Sequence, residues 1–225
     1  MSRTVVPSLW LLALSGLLAS AASPASGAVA KPEGIIWDPS PNYSFRNPAG
    51  VDSIVMHTTE GSHAGAVSWL TNPASNVSAH FVISPTGDIH QLVDTDNKAW
   101  HATYYNTRSI GIEMSGFANQ RDTWTRANLS ALYDLSAWLV DAYDIPIVHP
   151  DGNAYDFIGN RYDEAGLIAH GQVQPWNRTD PGPYFRWDTY VSQVQQRVNA
   201  AIPEPGTAVI LLAGAAGLAL RRRRA

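Results

Sequence analysis

The stretch from Gly166 to Pro183 reads GLIAHGQVQPWNRTDPGP and sets His170 and Asp180 on a segment punctuated by proline and glycine. An aspartate before proline commonly opens a turn, and a lone histidine is commonly a surface or satisfied core residue. The chemical reading is a pair of metal ligands. A catalytic zinc site takes three protein ligands and leaves one position for water. The chain has no cysteine, so any metal must be held by imidazole nitrogens or carboxylate oxygens. Of the seven histidines, His57 closes the apolar run SIVMH, a rigid element able to aim its ring. His57, His170 and Asp180 make a two-histidine, one-carboxylate set. On spacing alone, many other triples of histidines and carboxylates remain open.

A metal site that activates water also needs a proton carrier, because the attacking water must lose a proton. Glu113 is the one carboxylate in the run SIGIEMS, flanked by Ile112 and Met114. An acid in an apolar strand is costly without a partner or a purpose. The alternative is a glutamate facing outward from an alternating strand. Arg178, two residues before Asp180, is either a solvated loop arginine or a fixed cation for developing negative charge.

These side chains need a scaffold, and the periodicity describes one. Ser53–His57 reads as a buried strand, and Gly61–Asn72 as a short helix stopped by Pro73. Ser78–Ser84 and Ile89–Val93 read as a hairpin across Pro85-Thr-Gly-Asp88. Ser109–Ser115 is another strand. Thr125–Tyr143 is the clearest helix, with Leu129, Leu132, Leu135, Trp138, Leu139 and Ala142 on one stripe. Ile145–Val148 is expected as a short strand. Trp187, Tyr190, Val191, Val194 and Val198 mark a last amphipathic helix. The expected fold is α/β, a single domain with a central mixed β-sheet flanked by helices.

Both ends read as processing segments. Arg3, the apolar run Leu9–Ala19 and small residues up to Ala30 have the layout of a secretory signal peptide, drawn as residues 1–28. Residues 29–50 form an extended lead-in, and the catalytic domain is drawn as 51–202. The tail, 203–225, carries Pro-Glu-Pro, an uncharged stretch from Gly206 to Leu220, and four arginines. That apolar stretch is shorter than the ~20 residues that span a bilayer comfortably. The arginines would hold its end on the cytoplasmic side. The whole chain has 15 Lys+Arg and 19 Asp+Glu; without Arg3, Glu204 and the terminal arginines it has 10 and 18, a charge near −8. Nucleic acid is therefore excluded as a partner. A monomer is expected.

The segments VMHTTEG, SAHFVISPTGDIHQLV, KAWHAT, SIGIEMSG and AHGQVQPWNRTDPGP occur here in the order found in N-acetylmuramoyl-L-alanine amidases of the amidase-2 type. The chain resembles that family, and the peptidoglycan recognition proteins that share its fold, over roughly Asp52–Tyr190. The resemblance implies a zinc hydrolase that cuts the amide between the muramic lactyl group and L-Ala of peptidoglycan or muropeptides. It places the zinc ligands on His57, His170 and Asp180, the general base and acid on Glu113, and a transition-state cation on Arg178. Another branch of the family uses a tyrosine where this chain has Ala79, which leaves the proton work to Glu113. His80, His101 and Trp100 fall at positions near the cleft and are expected to contact substrate, with ligand orientation or packing as the other reading of the two histidines. Trp69 and Trp176 could line a saccharide groove or belong to the core. His63, His90 and His149 read as surface or structural. The connection Pro150–Ile168 is longer than in compact members and is expected to shape substrate access.

The tail resembles the PEP-CTERM sorting signal of Gram-negative envelope proteins. That implies export to the periplasm, outer surface or medium, a transient membrane anchor, and an exosortase as partner. The alternative to the enzyme is a peptidoglycan-binding surface module without catalysis.

Overall fold

The computed structural model describes residues 27–46, 50–155 and 159–202. The expected leader (apart from its last two residues) and the expected sorting tail lie outside the described residues. In chain order the elements are β1 Ile36–Trp37, β2 Tyr43–Phe45, β3 Ser53–Thr58, α1 His63–Leu70, β4 Phe81–Ile83, β5 Ile89–Gln91 and β6 Asn97–Ala99. There follow β7 Ser109–Met114, α2 Arg126–Tyr143, β8 Gly166–Ala169, α3 His170–Val173 and α4 Trp187–Ala201. Six strands form one sheet in the order β1-β5-β4-β7-β3-β8, while β2 and β6 pair separately. The β4–β5 hairpin is antiparallel and the other pairings of the large sheet are parallel, so the sheet is mixed.

The central strands are covered on both faces, which is why they read as continuous apolar runs. Ile54, Met56, Ile110, Ile112 and Met114 pack against Leu132, Leu135 and Leu139 of α2 and against Tyr190 and Val194 of α4. Val55 and Ile168 turn the other way and pack with Tyr105 and Tyr162. Successive strand side chains alternate, so His57 shares the face of Val55, away from α2 and α4. One face thus anchors the sheet and the other presents the chemistry.

Helix α2 starts where Thr125 accepts a hydrogen bond from the Asn128 backbone N–H, a cap worth about 1 kcal/mol. The Thr125 hydroxyl in turn donates to the Pro85 carbonyl at 2.5 Å. Asn128 is fully buried and its amide donates to the carbonyls of Ile83 (3.0 Å) and Ser84 (2.9 Å), fastening the helix to the end of β4. The α2 stripe differs from expectation at its end, where Ala142 is exposed.

Ile145–Val148 is not a strand. Pro146 has no N–H to give a ladder, and the Val148 N–H bonds locally to the Pro146 carbonyl at 2.9 Å. The edge beside β3 is filled by β8, whose four residues give too short a run to stand out in the sequence. The expected lead-in contains β1, which pairs in parallel with β5, and β2, which pairs with β6. Among the described residues no helix is long and apolar enough to cross a membrane.

Candidate active site

Three neighbouring strands end together, and each delivers one reactive side chain. Parallel pairing of β3 with β7 sets His57 directly beside Glu113. Pairing of β3 with β8 sets Met56 beside Ala169, so His170 leaves the sheet next to His57. Carboxyl ends of parallel strands are where α/β sheets generally place ligands. The fourth group returns by the loop after α3. The Gly171 N–H donates to the Asp180 carbonyl at 2.9 Å. A Cβ at Gly171 would lie 3.4 Å from the Arg178 carbonyl oxygen, so the loop folds tightly on this position.

His57 Nδ1, His170 Nδ1 and Asp180 Oδ2 form a triangle with edges of 2.9, 3.1 and 3.2 Å. All three side chains are buried, and among the described residues they are the one group of histidines and acids with ligand atoms close enough to share a metal. Ligand atoms around four-coordinate zinc at ordinary bond lengths stand about 3.3 Å apart. His170 Nε2 donates to Gln174 Oε1 at 2.9 Å, which leaves a lone pair on His170 Nδ1. That lone pair and an ionised Asp180 oxygen face one another, an arrangement that calls for a cation between them. The donor set therefore fits zinc.

The electrostatics hold the ligands in their metal-binding forms. Burial, and then the neighbouring His170, push His57 down to about 4, so its imidazole is neutral at pH 7. Burial alone would raise Asp180, but the adjoining imidazoles of His170 and His57 outweigh it and hold the carboxyl well below the usual carboxylate range. Glu113 moves the other way. Burial, then the charges of Asp180 and Glu60, push it up to about 8, with partial relief from Arg178. Its Oε2 is buried and has no hydrogen-bond partner. A carboxyl poised near neutrality beside a metal-ligating set is suited to accept and return a proton.

A cleft of about 420 Å³ opens over this group, lined among others by Glu60, Trp69, Trp100, His101, Arg178 and Asp180. A larger hollow, about 580 Å³, lies beside His149 and Trp187 but holds no convergent set of metal ligands, so volume is not what marks the site. Arg178 is exposed on the cleft rim, with Nη1 donating to the Asn177 carbonyl at 2.9 Å. Trp100 is half-buried and its indole N–H donates to Ser44 Oγ at 3.1 Å. Trp69 stands out from α1 into solvent at 56% exposure.

The two histidines expected at the substrate separate. His101 lines the cleft. His80 is fully buried and is not among the lining residues. Its Nδ1 accepts from the Gly111 N–H at 2.9 Å, so Nε2 carries the proton and donates to the Asn97 carbonyl at 3.1 Å. Burial and the Arg46 guanidinium push His80 down to about 3. It braces the scaffold beneath the cleft. His90 pairs with Asp38 at 2.6 Å, and His149 stacks on Trp187 with ring centres 3.6 Å apart. Sequence reasoning did not single out Gln174 or Glu60. Gln174 follows His170 by four positions, a helical spacing that could have found it. Glu60 accepts from the Ala118 N–H at 2.8 Å and borders the cleft, with only its place in VMHTTEG as a signal.

Known proteins share this arrangement of sequence and fold. The N-acetylmuramoyl-L-alanine amidase pattern matches residues 46–183, and the PEP-CTERM protein-sorting motif matches residues 201–224. N-acetylmuramoyl-L-alanine amidase A of Achromobacter lyticus is 34% identical over 163 residues, covering 71% of this chain and 92% of that protein. A selenomethionine derivative of AmpD superposes with a TM-score of 0.55 at 24% identity, over 76% of this chain and 96% of that one. The E. coli amidase AmiD, solved with the substrate anhydro-N-acetylmuramic acid-L-Ala-D-gamma-Glu-L-Lys, superposes with a TM-score of 0.50 at 24% identity, over 66% and 60%. With sequence pattern and fold in agreement over most of its described length, the chain belongs to the N-acetylmuramoyl-L-alanine amidase family.

Proposed function

We propose that this chain is a zinc-dependent amidase that hydrolyses the bond between the muramic lactyl group and L-Ala of peptidoglycan. The observation that carries the reading is the closure of the His57–His170–Asp180 triangle beside Glu113. His57, His170 and Asp180 would hold the zinc, which when bound would supply Lewis-acid polarisation and lower the pKa of the attacking water. With zinc bound, its positive charge would favour the carboxylate of Glu113, whose Oε2 has no hydrogen-bond partner, and this carboxylate takes a proton from the attacking water. It then returns that proton to the amine of L-Ala as the C–N bond breaks and the lactyl carboxylate forms. Arg178 at the rim offers a permanent cation to the carbonyl oxygen as negative charge builds on it. Ala79, where a tyrosine could have served, is buried and has no acid to offer.

The substrate class follows from relatives. AmiD holds a muropeptide with the same lactyl–L-Ala linkage, and we bring that class to the cleft of this chain. Trp100 and His101 line the cleft and are assigned to substrate contact. The PEP-CTERM motif supports export behind a signal peptide, transient anchoring through the tail and processing by an exosortase in a Gram-negative envelope. The domain at work is 51–202, acting as a monomer. Metal analysis of purified wild type, His57→Ala and Asp180→Ala tests the centre. About one zinc per chain is expected in wild type and a marked loss in both variants; equal metal content in all three would refute it.

A further inference from the structure

The outer nitrogen of His57 does not meet a carboxylate or a carbonyl. It lies 3.0 Å from Nδ1 of another histidine, His101. Two neutral imidazoles can share a hydrogen bond in either direction, so this contact alone does not fix which nitrogen of His57 carries the proton. The direction is set farther back. Ser109 is fully buried, and its hydroxyl donates to the Tyr105 carbonyl at 2.7 Å. With its one proton committed there, Ser109 can only accept from His101 Nε2, which lies 3.3 Å away. His101 therefore carries its proton on Nε2 and presents a lone pair at Nδ1. His57 must then donate from Nε2, and its Nδ1 lone pair is left facing His170 and Asp180.

A second feature holds His101 in place. Gly111 sits on β7 beneath its ring, and a Cβ there would come within 2.6 Å of the ring carbon Cγ. No unusual backbone angle demands glycine at this position. The residue is small because the ring occupies the space.

We propose that His101 is a positioning residue for His57, and that the chain Tyr105 carbonyl, Ser109 hydroxyl, His101, His57 dictates the tautomer of the metal ligand. The inference rests on the metal reading given above and adds to it the group that orients one ligand. Partners of this kind alter metal affinity by about 10- to 100-fold when removed.

Zinc titration of the full chain, with histidine nitrogen NMR of the metal-free protein, tests it. His101→Phe keeps a ring but offers no acceptor; zinc affinity should fall about 10- to 100-fold, and the His57 signals should report a mixture of tautomers. His101→Asn places an amide oxygen near the former Nδ1 and should restore most of the affinity. Ser109→Ala, a small change in a site remote from the cleft, should release the tautomer in the same direction. The metal-free melting temperature separates these effects from simple unfolding. Should His101→Phe fail to fold, Ser109→Ala decides. Unchanged affinity and an unchanged His57 tautomer in both variants would overturn the proposal, as would an Asn variant no better than Phe. If wild type bound no zinc, the metal reading would fail while the tautomer measurement still judged His101.

Discussion

Glu113→Gln should make the metal-free protein more stable while removing the activity of the zinc-loaded enzyme. The wild-type carboxyl has a folded pKa near 8 against an ordinary 4.5, chiefly through burial and then through Asp180 and Glu60. A group raised in this way contributes its full stability below pH 4.5 and loses it as pH rises through about 8. At pH 7 the unfolded chain has released the proton that the folded chain retains, a linkage cost of about 3 kcal/mol. The side chain is partly exposed, so screening lowers the expected figure to about 2 kcal/mol. Glutamine keeps the shape and never ionises. Denaturant unfolding of both metal-free proteins from pH 4.5 to 8 measures the difference. It should be near zero at the acid end and grow with pH in favour of the variant, while turnover falls by about two to four orders of magnitude. A difference that did not depend on pH, or a less stable variant at pH 8, would refute the reasoning that Glu113 is strained for function.

Other expectations concern the loop and the scaffold. Arg178→Ala should lower kcat about 100-fold with a smaller change in KM, as loss of a transition-state cation does, and Arg178→Lys should recover part of it; steady-state kinetics on a muropeptide decides. Gly182 has φ +91° and a Cβ there would meet the Ala118 carbonyl oxygen at 2.1 Å, so Gly182→Ala should displace the Asp180 turn and weaken zinc binding, seen by calorimetry. Thr125→Ala should cost about 1 kcal/mol by denaturant unfolding with kcat unchanged, because it removes the α2 cap far from the chemistry.

The reactive residues were legible in the sequence because they sit where the pattern is strongest. His57 ends a buried strand and Glu113 interrupts another, and the RTDPGP loop announces a constrained turn. Periodicity alone left the metal triple open; the register His57 beside Glu113, and Met56 beside Ala169, is what brings it together. The strand expected at Ile145–Val148 failed because Pro146 breaks the ladder, an effect stronger than the β-preference of its neighbours. β8 was missed because a run of four residues that begins with a glycine carries little signal. His80 and His101 look alike in sequence, each following an alanine or tryptophan near the site. Only tertiary contacts separate them, one bound to the Gly111 N–H and the Asn97 carbonyl, the other facing His57.

The most direct measurement is mass spectrometry of purified peptidoglycan sacculi digested by the protein as purified, after chelation, and after zinc is restored. Stem peptides should be released with a free L-Ala amine and glycan strands left with intact lactyl groups, with no release after chelation and recovery with zinc. Release that survives complete metal removal, or cleavage at any other bond, would contradict the proposed function.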